Sequence, residues 1–221
     1  MTTIKTKGLL FDMDGTLVNT IACVEKFWRR VCKEHGIDAD QFLATVHGHP
    51  TFELLCKWFP ESMRTREQAQ KLELDCVQDT DGVHMVPGAD MVRSLDANKW
   101  AIVTAATGEL ATTRLKQVGL PEPPHLVAAH SVERGKPFPD CYVLGASILG
   151  VSPEDTIVFE DSVNGAKAGA AAGSTVIGIL TSTSEQKLRE AGASYAVRDF
   201  NDIKIVQCDD GSLAITINTS A

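Results

Sequence analysis

The stretch LLFDMDGTL, residues 9–17, determines how the rest of the chain is interpreted. Three apolar residues lead directly to Asp12, and a second carboxylate, Asp14, follows two positions later, just before Gly15. A short apolar run that ends at a glycine-containing turn is typical of a buried strand that ends in a loop. Ligands of open α/β sheets bind beyond the carboxyl ends of the strands, so we expect both carboxylates at a functional site.

The spacing of Asp12 and Asp14 has a functional and a structural interpretation. Two acids this close repel each other unless a cation or a shared proton lies between them. In the structural alternative, Asp14 and Gly15 only form a turn. At average composition, the pattern Asp-x-Asp-Gly-Thr arises by chance in well under ~1 % of chains of this length, which favours a functional site.

The composition is that of a globular protein and argues against nucleic acid as a partner. Of the 221 residues, 43% are hydrophobic and 23% are charged, and the net charge is -8, whereas a phosphate backbone requires clustered Lys and Arg. The first residues lack the apolar region of a signal peptide, and no apolar run reaches transmembrane length. The six cysteines form no Cys-x-x-Cys pair, which indicates free thiols in a reducing compartment. We expect a cytoplasmic protein without a membrane partner, either a monomer or a weak homo-oligomer.

The hydrophobic pattern divides the chain into two kinds of segment. Between residues 18 and 86, apolar residues recur at helical spacings and no convincing strand occurs. From residue 87 onward helices alternate with short buried strands, which predicts a parallel, doubly wound sheet. Residues 203–217 are predicted to form a closing β-hairpin. The expected fold is an α/β, Rossmann-like core of residues 1–17 and 87–221, with an inserted α-helical cap domain of residues 18–86.

Polar residues follow two further predicted strands. Thr104 and Ala105 follow the second strand at the start of a helix, where a hydroxyl and free backbone N–H groups can hold phosphate oxygens. Lys136, between Gly135 and Pro137, follows the third strand and suits a point-charge contact to a phosphate. In the structural alternatives, Thr104 only caps its helix and Lys136 is a solvated surface residue.

Two acids, Glu160 and Asp161, follow the fourth predicted strand, with Asn164 beyond them. Carboxylates next to a buried strand are costly unless they are paired or bound to a metal. Alternatively, they cap the following helix. Together with Asp12 and Asp14 they form an oxygen-rich site suited to Mg²⁺, a hard cation.

These motifs, in this order, resemble those of the haloacid dehalogenase superfamily in its phosphatase branch. Asp-x-Asp-Gly-Thr occupies residues 12–16, Thr104 stands at the position of the small hydroxyl residue, and Lys136 at that of the family lysine. Glu160 and Asp161 match the acidic pair. The helical segment lies where the type 1 cap is inserted, so the resemblance covers nearly the whole chain.

Three shorter stretches resemble phosphatases of small sugar and polyol phosphates, including the 2-deoxyglucose-6-phosphate and glycerol-phosphate enzymes. They are FWR at 27–29, HG at 47–48 and VPG at 86–88. The chain departs from the common pattern at three pairs of residues. Asn-Thr at 19–20 replaces the frequent Asp-Ser, Ala-Ala at 105–106 replaces a common Ser-Gly, and His-Pro at 49–50 replaces a basic residue and a bulky one. The first departure leaves the chemistry unchanged, and the other two bear on the choice of substrate.

The resemblance implies a phosphoric monoester hydrolase, a sugar phosphatase that works through an aspartyl-phosphate intermediate. In that chemistry Asp12 attacks phosphorus, and Asp14 first protonates the leaving oxygen and then activates water. Thr104, the backbone N–H of Ala105 and Lys136 would balance the charge of the phosphoryl oxygens.

The resemblance also implies Mg²⁺ as the cofactor. The expected ligands are the carboxylate of Asp12, the backbone carbonyl of Asp14 and the carboxylate of Asp161. Glu160 is expected to complete the metal site, more readily by orienting a metal-bound water than by direct contact.

The substrate's organic part is expected to contact the cap loop. His47, Gly48, His49 and Thr51 are predicted to bind sugar hydroxyls when the cap closes, and Asn164 is predicted to contribute from the core. In the alternative, the two histidines are ordinary polar loop residues.

Three alternative functions require residues that differ from those of a phosphatase. A hexose-phosphate mutase has the same fold and nucleophile, but mutases of this kind carry a cap-hinge histidine where this chain has Val24. A true dehalogenase lacks the second carboxylate, which Asp14 supplies here. A non-catalytic sugar-phosphate-binding protein needs neither a nucleophile nor a lysine nor an acidic pair, and this chain has all of them.

Overall fold

The computed structural model describes residues 1–46 and 48–218. Its strands, in chain order, are β1 (Thr2–Thr6), β2 (Gly8–Phe11), β3 (Val18–Asn19), β4 (His84–Met85), β5 (Trp100–Val103), β6 (Leu126–Val127), β7 (Thr156–Glu160), β8 (Thr175–Ile179), β9 (Tyr195–Val197), β10 (Ile203–Gln207) and β11 (Leu213–Ile217). Its α-helices are α1 (Ile21–His35), α2 (Ala39–Leu43), α3 (Thr51–Trp58), α4 (Arg66–Gln78), α5 (Gly108–Gln117), α6 (Asp140–Ile148), α7 (Val163–Ala172) and α8 (Glu185–Glu190).

The central sheet has six strands in the order β6-β5-β2-β7-β8-β9, and all neighbouring strands are parallel. Strand β2 lies between β5 and β7, with Phe11 opposite Ile102 on one side and Phe159 on the other. All four residues of β2 are buried, as expected for a strand covered on both faces. The predicted doubly wound α/β fold is therefore confirmed. The Asp-x-Asp-Gly-Thr motif, residues 12–16, directly follows a central strand of the sheet.

Apolar side chains cover both faces of this sheet. On one face the ring of Phe11 stacks on that of Phe159, with 4.8 Å between ring centroids, and Phe200 packs against both. On the other face, Leu10 and Val158 pack with buried residues of α6 and α7. Burial on both sides fixes the positions of the strand ends, and thereby of the polar residues that follow them.

Helices α1–α4 form a helical insertion with a hydrophobic cluster of its own. Trp28 lies at its centre, with its ring within 6 Å of the rings of Phe27, Phe42 and Phe59. The insertion is joined to the core where β3 and β4 pair in antiparallel fashion. A helical cap is thus present, while its boundaries at residues 18 and 86 stay a prediction.

The terminal segments differ in one respect from the prediction. Strands β10 and β11 form the predicted hairpin, but β1 pairs with β11 as well, which makes a three-stranded antiparallel sheet. The side chains of Leu213, Ile215 and Ile217 are buried beneath it. In the part of the chain that the structure describes, no helix has the length and apolar character needed to cross a membrane.

Candidate active site

The loop after β2 holds the carboxylates through a glycine turn. The backbone N–H of Asp12 still donates to the carbonyl of Phe159, and the N–H of Gly15 then donates to the carbonyl of Val18. Gly15 has φ of 82°, a conformation that favours glycine. A Cβ at Gly15 would lie 1.9 Å from Oδ2 of Asp161. Glycine at this position therefore lets the loop approach the acidic residues after β7.

Asp12, Glu160 and Asp161 form a buried carboxylate cluster at the carboxyl ends of β2 and β7, with one oxygen of each within 4.8 Å of the others. Burial raises the pKa of Asp12 to about 7, although the Lys136 ammonium opposes the rise. Burial, followed by the charges of Asp12 and Glu160, raises the pKa of Asp161 well above its usual range. Ionised carboxylates held together in this way are stabilised by a further positive charge. The cluster therefore fits a divalent cation that prefers oxygen ligands.

Lys136 lies inside this cluster and is only 3% exposed, so it is not a surface lysine. Its Nζ donates to Oδ1 of Asp12 at 2.6 Å, to Oε1 of Glu160 at 2.6 Å and to the carbonyl of Val103 at 3.1 Å. These bonds engage all three hydrogens of the ammonium group. Burial tends to lower the pKa of Lys136, but the Asp12 and Glu160 carboxylates outweigh it and raise that pKa above its usual range. The lysine is thus a fixed cation beside the carboxylate of Asp12.

Glu160 is held by donors on both carboxylate oxygens. Its Oε1 accepts from Lys136 and from the Tyr142 hydroxyl, and its Oε2 accepts from the backbone N–H groups of Asp161 and Ser162 and from the Ser162 hydroxyl. A carboxylate has about four lone-pair positions, so these contacts largely fill them. The arrangement fixes Glu160 in place and suits an indirect role beside the cation better than direct ligation.

Asp14 lies on the cavity side of the same loop. Its Oδ1 accepts a hydrogen bond of 2.7 Å from the hydroxyl of Thr20, which is buried just before α1. Thr20 occupies the N-cap position of α1, but its side chain makes no capping hydrogen bond. The hydroxyl therefore orients Asp14, a contact that the sequence did not indicate.

Thr104 is buried at the end of β5, and its Oγ1 accepts a 3.0 Å hydrogen bond from the N–H of Ala106. Helix α5 is capped by Thr107, whose Oγ1 accepts from the N–H of Leu110. Thr104 is thus not the cap of this helix, and its hydroxyl hydrogen can be donated to a ligand. Thr104 and Ala105 both line the cavity described next.

A cavity of about 110 Å³ lies between the core and the helical insertion. It brings together most of the predicted site residues: Asp12, Asp14, Gly48, His49, Thr51, Thr104, Ala105 and Asp161. Lys136 and Glu160 lie behind the Asp12 carboxylate. Asn164 is not among the residues that line this cavity and lies beside Gly48 of the cap loop, where a Cβ added to Gly48 would be 3.2 Å from the Cβ of Asn164. His47 lies outside the described residues.

Glu73 is a cavity residue that sequence reasoning missed. It is buried on α4, where its Oε2 accepts from the N–H of Thr107 at 3.3 Å and from the Thr107 hydroxyl at 2.6 Å. Helical spacing places Glu73 on the same face as Ala69 and Cys76, four residues before it and three after. An acidic residue on an otherwise apolar helix face is the signal that identifies it.

Comparison with known proteins identifies the family of the chain. The sequence model of the haloacid dehalogenase-like hydrolase family matches residues 6–173, and the chain belongs to this family. Hexitol phosphatase A of Escherichia coli is 34% identical over 96% of this chain and 100% of its own length. 2-Deoxyglucose-6-phosphate phosphatase 2 of Saccharomyces cerevisiae is 33% identical over 95% of this chain and 94% of its own. The predicted family is therefore confirmed, and the chain is an enzyme of the hydrolase class.

A solved structure supports the fold. The crystal structure of β-phosphoglucomutase from Clostridium difficile superposes with a TM-score of 0.74, covering 90% of this chain and 93% of the mutase, at 20% identity. At 20% identity, the similarity between the two structures establishes a common fold and nothing about activity.

Proposed function

We propose that the chain is a phosphoric monoester hydrolase that releases phosphate from small sugar or polyol phosphates through an aspartyl-phosphate on Asp12. The observation that carries this proposal is the buried Asp12 carboxylate, paired with Lys136 and close to Asp161, at the base of a cavity that the helical insertion covers. Further support comes from the similarity, over nearly the full length of each protein, to a hexitol phosphatase and a 2-deoxyglucose-6-phosphate phosphatase.

We propose Mg²⁺ as the cofactor because the donors are hard oxygens. The carboxylates of Asp12 and Asp161 would hold it, together with the backbone carbonyl of Asp14, and Glu160 would fix the surroundings of the site. When bound, the ion supplies the positive charge that reduces repulsion between an anionic nucleophile and an anionic phosphate.

The first chemical step would transfer the phosphoryl group to the protein. An oxygen of Asp12 forms a bond to phosphorus while the bond from phosphorus to the ester oxygen breaks. Asp14, oriented by Thr20, gives a proton to that oxygen, so that the sugar or polyol leaves as a neutral alcohol. Lys136, Thr104 and the N–H of Ala105 would stabilise the negative charge of the transferred group.

The second step would release phosphate and restore the protein. Asp14, now a carboxylate, takes a proton from a water molecule whose oxygen bonds to phosphorus. The bond between phosphorus and the Asp12 oxygen breaks, which regenerates the Asp12 carboxylate and frees inorganic phosphate. The helical insertion would exclude bulk water, and its loop residues His47, Gly48, His49 and Thr51 would contact the hydroxyls of the substrate.

The test is a panel of phosphate esters assayed for phosphate release with Mg²⁺. We expect a hexitol phosphate, 2-deoxyglucose 6-phosphate or a glycerol phosphate to give the highest kcat/KM, and EDTA to abolish turnover. Full activity after exhaustive chelation would contradict the metal assignment. Conversion of a hexose 1-phosphate to a 6-phosphate without phosphate release would instead identify a mutase, and binding without turnover a sugar-phosphate-binding protein.

The role of Asp14 can be separated from that of the metal site by changing the leaving group. Asp14→Asn keeps the backbone carbonyl but cannot protonate an alkoxide, so kcat/KM for a sugar phosphate should fall by about 10²- to 10⁴-fold. For p-nitrophenyl phosphate, whose leaving group needs no proton, kcat/KM should fall much less. Equal losses on the two substrates would show that Asp14 is not the general acid.

A further inference from the structure

The wall that the helical insertion contributes to the cavity is mainly apolar. Its apolar members include Val24, Phe27, Trp28, Val46, Leu54 and Leu72. Glu73 interrupts this surface with a buried carboxylate. Among the described residues of this wall, a group that enters the cavity therefore meets hydrocarbon, the carboxylate of Glu73, the hydroxyl of Thr51 and the imidazole of His49.

The basic residues that the structure describes at the cavity are already engaged with other groups of the protein. Among the residues that the structure describes, those that line the cavity are Arg114 and His49. The guanidinium of Arg114 is committed to the end of α4, because its Nη1 donates to the carbonyl of Asp79 at 2.8 Å and its Nη2 to the carbonyl of Cys76 at 2.9 Å. Nδ1 of His49 lies 3.3 Å from Oε2 of Glu53. The positive charge near Asp12 thus serves the phosphoryl group being transferred, and the described residues at the far end of the cavity offer no equivalent charge.

Glu73 has the acceptor capacity to bind a hydroxyl. The N–H and hydroxyl of Thr107 donate to Oε2, and the hydroxyl of Thr51 also donates to this carboxylate. A carboxylate accepts about four hydrogen bonds, so these three leave room for another donor. Burial raises the pKa of Glu73, but the bonds from Thr107 and Thr51 oppose the rise because they stabilise the charged form.

Glu73 also lies where the cavity adjoins a second groove. Together with Thr51, it lines both this cavity and a neighbouring groove of about 390 Å³, and Asp12 is not part of the lining of that groove. This groove is itself acidic, because the described residues that line it include the carboxylates of Glu53, Glu109 and Glu133 but a single guanidinium, that of Arg66. A substrate whose phosphate lies at Asp12 and whose other end reaches past Glu73 into this groove would therefore meet negative charge.

We infer that Glu73 is a specificity-determining residue, which accepts hydrogen bonds from hydroxyl groups of the substrate and disfavours substrates with a second anionic group. The inference rests on the proposed function, since it concerns the substrate of the same site. It narrows the substrate class to monophosphates of neutral polyhydroxy compounds, and it disfavours bisphosphates and phosphorylated sugar acids, because like charges brought together in a partly desolvated site repel strongly.

The test compares sorbitol 6-phosphate with 6-phosphogluconate, which share a six-carbon chain and differ at the end far from the phosphate. One ends in a neutral CH₂OH group and the other in a carboxylate. The native enzyme should favour sorbitol 6-phosphate in kcat/KM. Glu73→Gln keeps the size of the side chain but removes its charge. In this variant, kcat/KM for sorbitol 6-phosphate should fall about threefold to tenfold. The ratio of kcat/KM for sorbitol 6-phosphate to kcat/KM for 6-phosphogluconate should fall about tenfold or more.

Three further variants distinguish specificity from a structural role. Glu67→Gln removes a carboxylate from an exposed position of the same helix, and it should leave both rates unchanged. Glu73→Asp keeps the charge and should retain the discrimination even where activity falls. Gln117→Leu breaks another contact between α5 and α4, the 2.8 Å hydrogen bond from Nε2 of Gln117 to the carbonyl of Val77. Glu73 keeps its own partners in this variant, so any loss should affect both rates equally and leave their ratio unchanged.

The outcomes separate the two proposals. Suppose that the native enzyme hydrolyses sorbitol 6-phosphate but Glu73→Gln lowers kcat/KM equally for both substrates. Glu73 then only joins the helical insertion to the core, and the inference is overturned. If the native enzyme releases phosphate from no sugar or polyol phosphate faster than from p-nitrophenyl phosphate, the proposed function itself is wrong, and the inference fails with it.

Discussion

Asp12→Asn is expected to lower kcat/KM by at least about 10⁴-fold, the order that loss of an essential catalytic group costs. The amide has no anionic oxygen to attack phosphorus and is a poorer ligand for Mg²⁺. The fold should survive, because Asn has nearly the same volume and Lys136 keeps its bonds to Glu160 and the carbonyl of Val103. Initial rates on the best substrate of the panel, with circular dichroism of the variant, provide the measurement.

The matched control is Asp90→Asn, the same exchange at a solvent-exposed position outside the helical insertion. It should behave as the native enzyme does. A nucleophilic role also predicts that acid quenching during turnover traps phosphate on the native protein and none on Asp12→Asn. A folded Asp12→Asn variant with more than about a tenth of native activity would exclude Asp12 as the nucleophile.

Lys136→Met is expected to remove activity and to lower the free energy of unfolding by about 3–5 kcal/mol, the cost of leaving buried carboxylates without their ion-pair partner. Oxygens of Asp12 and Glu160 each lie 2.6 Å from Nζ, and both residues are buried. The measurement is the midpoint of urea unfolding in the absence of Mg²⁺, because the metal would itself offset part of the charge. Lys167→Met, on the exposed side of α7, is the control for loss of a lysine.

A double variant tests whether the instability arises from the unpaired charge. Lys136→Met combined with Glu160→Gln removes one of the two carboxylates left without a cation, so it should regain part of the lost stability. Activity should stay low, since Asp12 still lacks its cation. If Lys136→Met has the same midpoint of urea unfolding as the native protein, the lysine contributes no net stability to the cluster.

The core fold and the strand-end residues could be predicted because two simple patterns coincide in them. Buried strands that alternate with helices imply a parallel sheet, and in such a sheet the residues after each strand meet at one edge. Asp12, Thr104, Lys136 and Asp161 were therefore identifiable although they are far apart in sequence. Strand β1 escaped prediction because its TTIKT sequence is mostly exposed and gains its partner only from β11.

The contacts between the helical insertion and the core were beyond sequence reasoning. Thr20 bonds to Asp14, and Glu73 bonds to Thr107, across a junction whose geometry depends on tertiary packing. Periodicity shows which face of a helix is buried, but not what it is buried against. The acidic Glu73 on an apolar face was the one available sign that this face meets polar partners.

The short ladder of β3 and β4 has a consequence for how such a protein can diversify. Val18 pairs with Met85, and Asn19 with His84, so the chain leaves the core and returns to it at adjacent points. An insertion whose ends are already adjacent imposes little distortion on the strands around it. Another helical segment with equally close ends could take its place in the gene without altering the position of Asp12. The segment between these two strands can therefore change in sequence while Asp12, Lys136 and Asp161 keep their positions at the ends of the core strands.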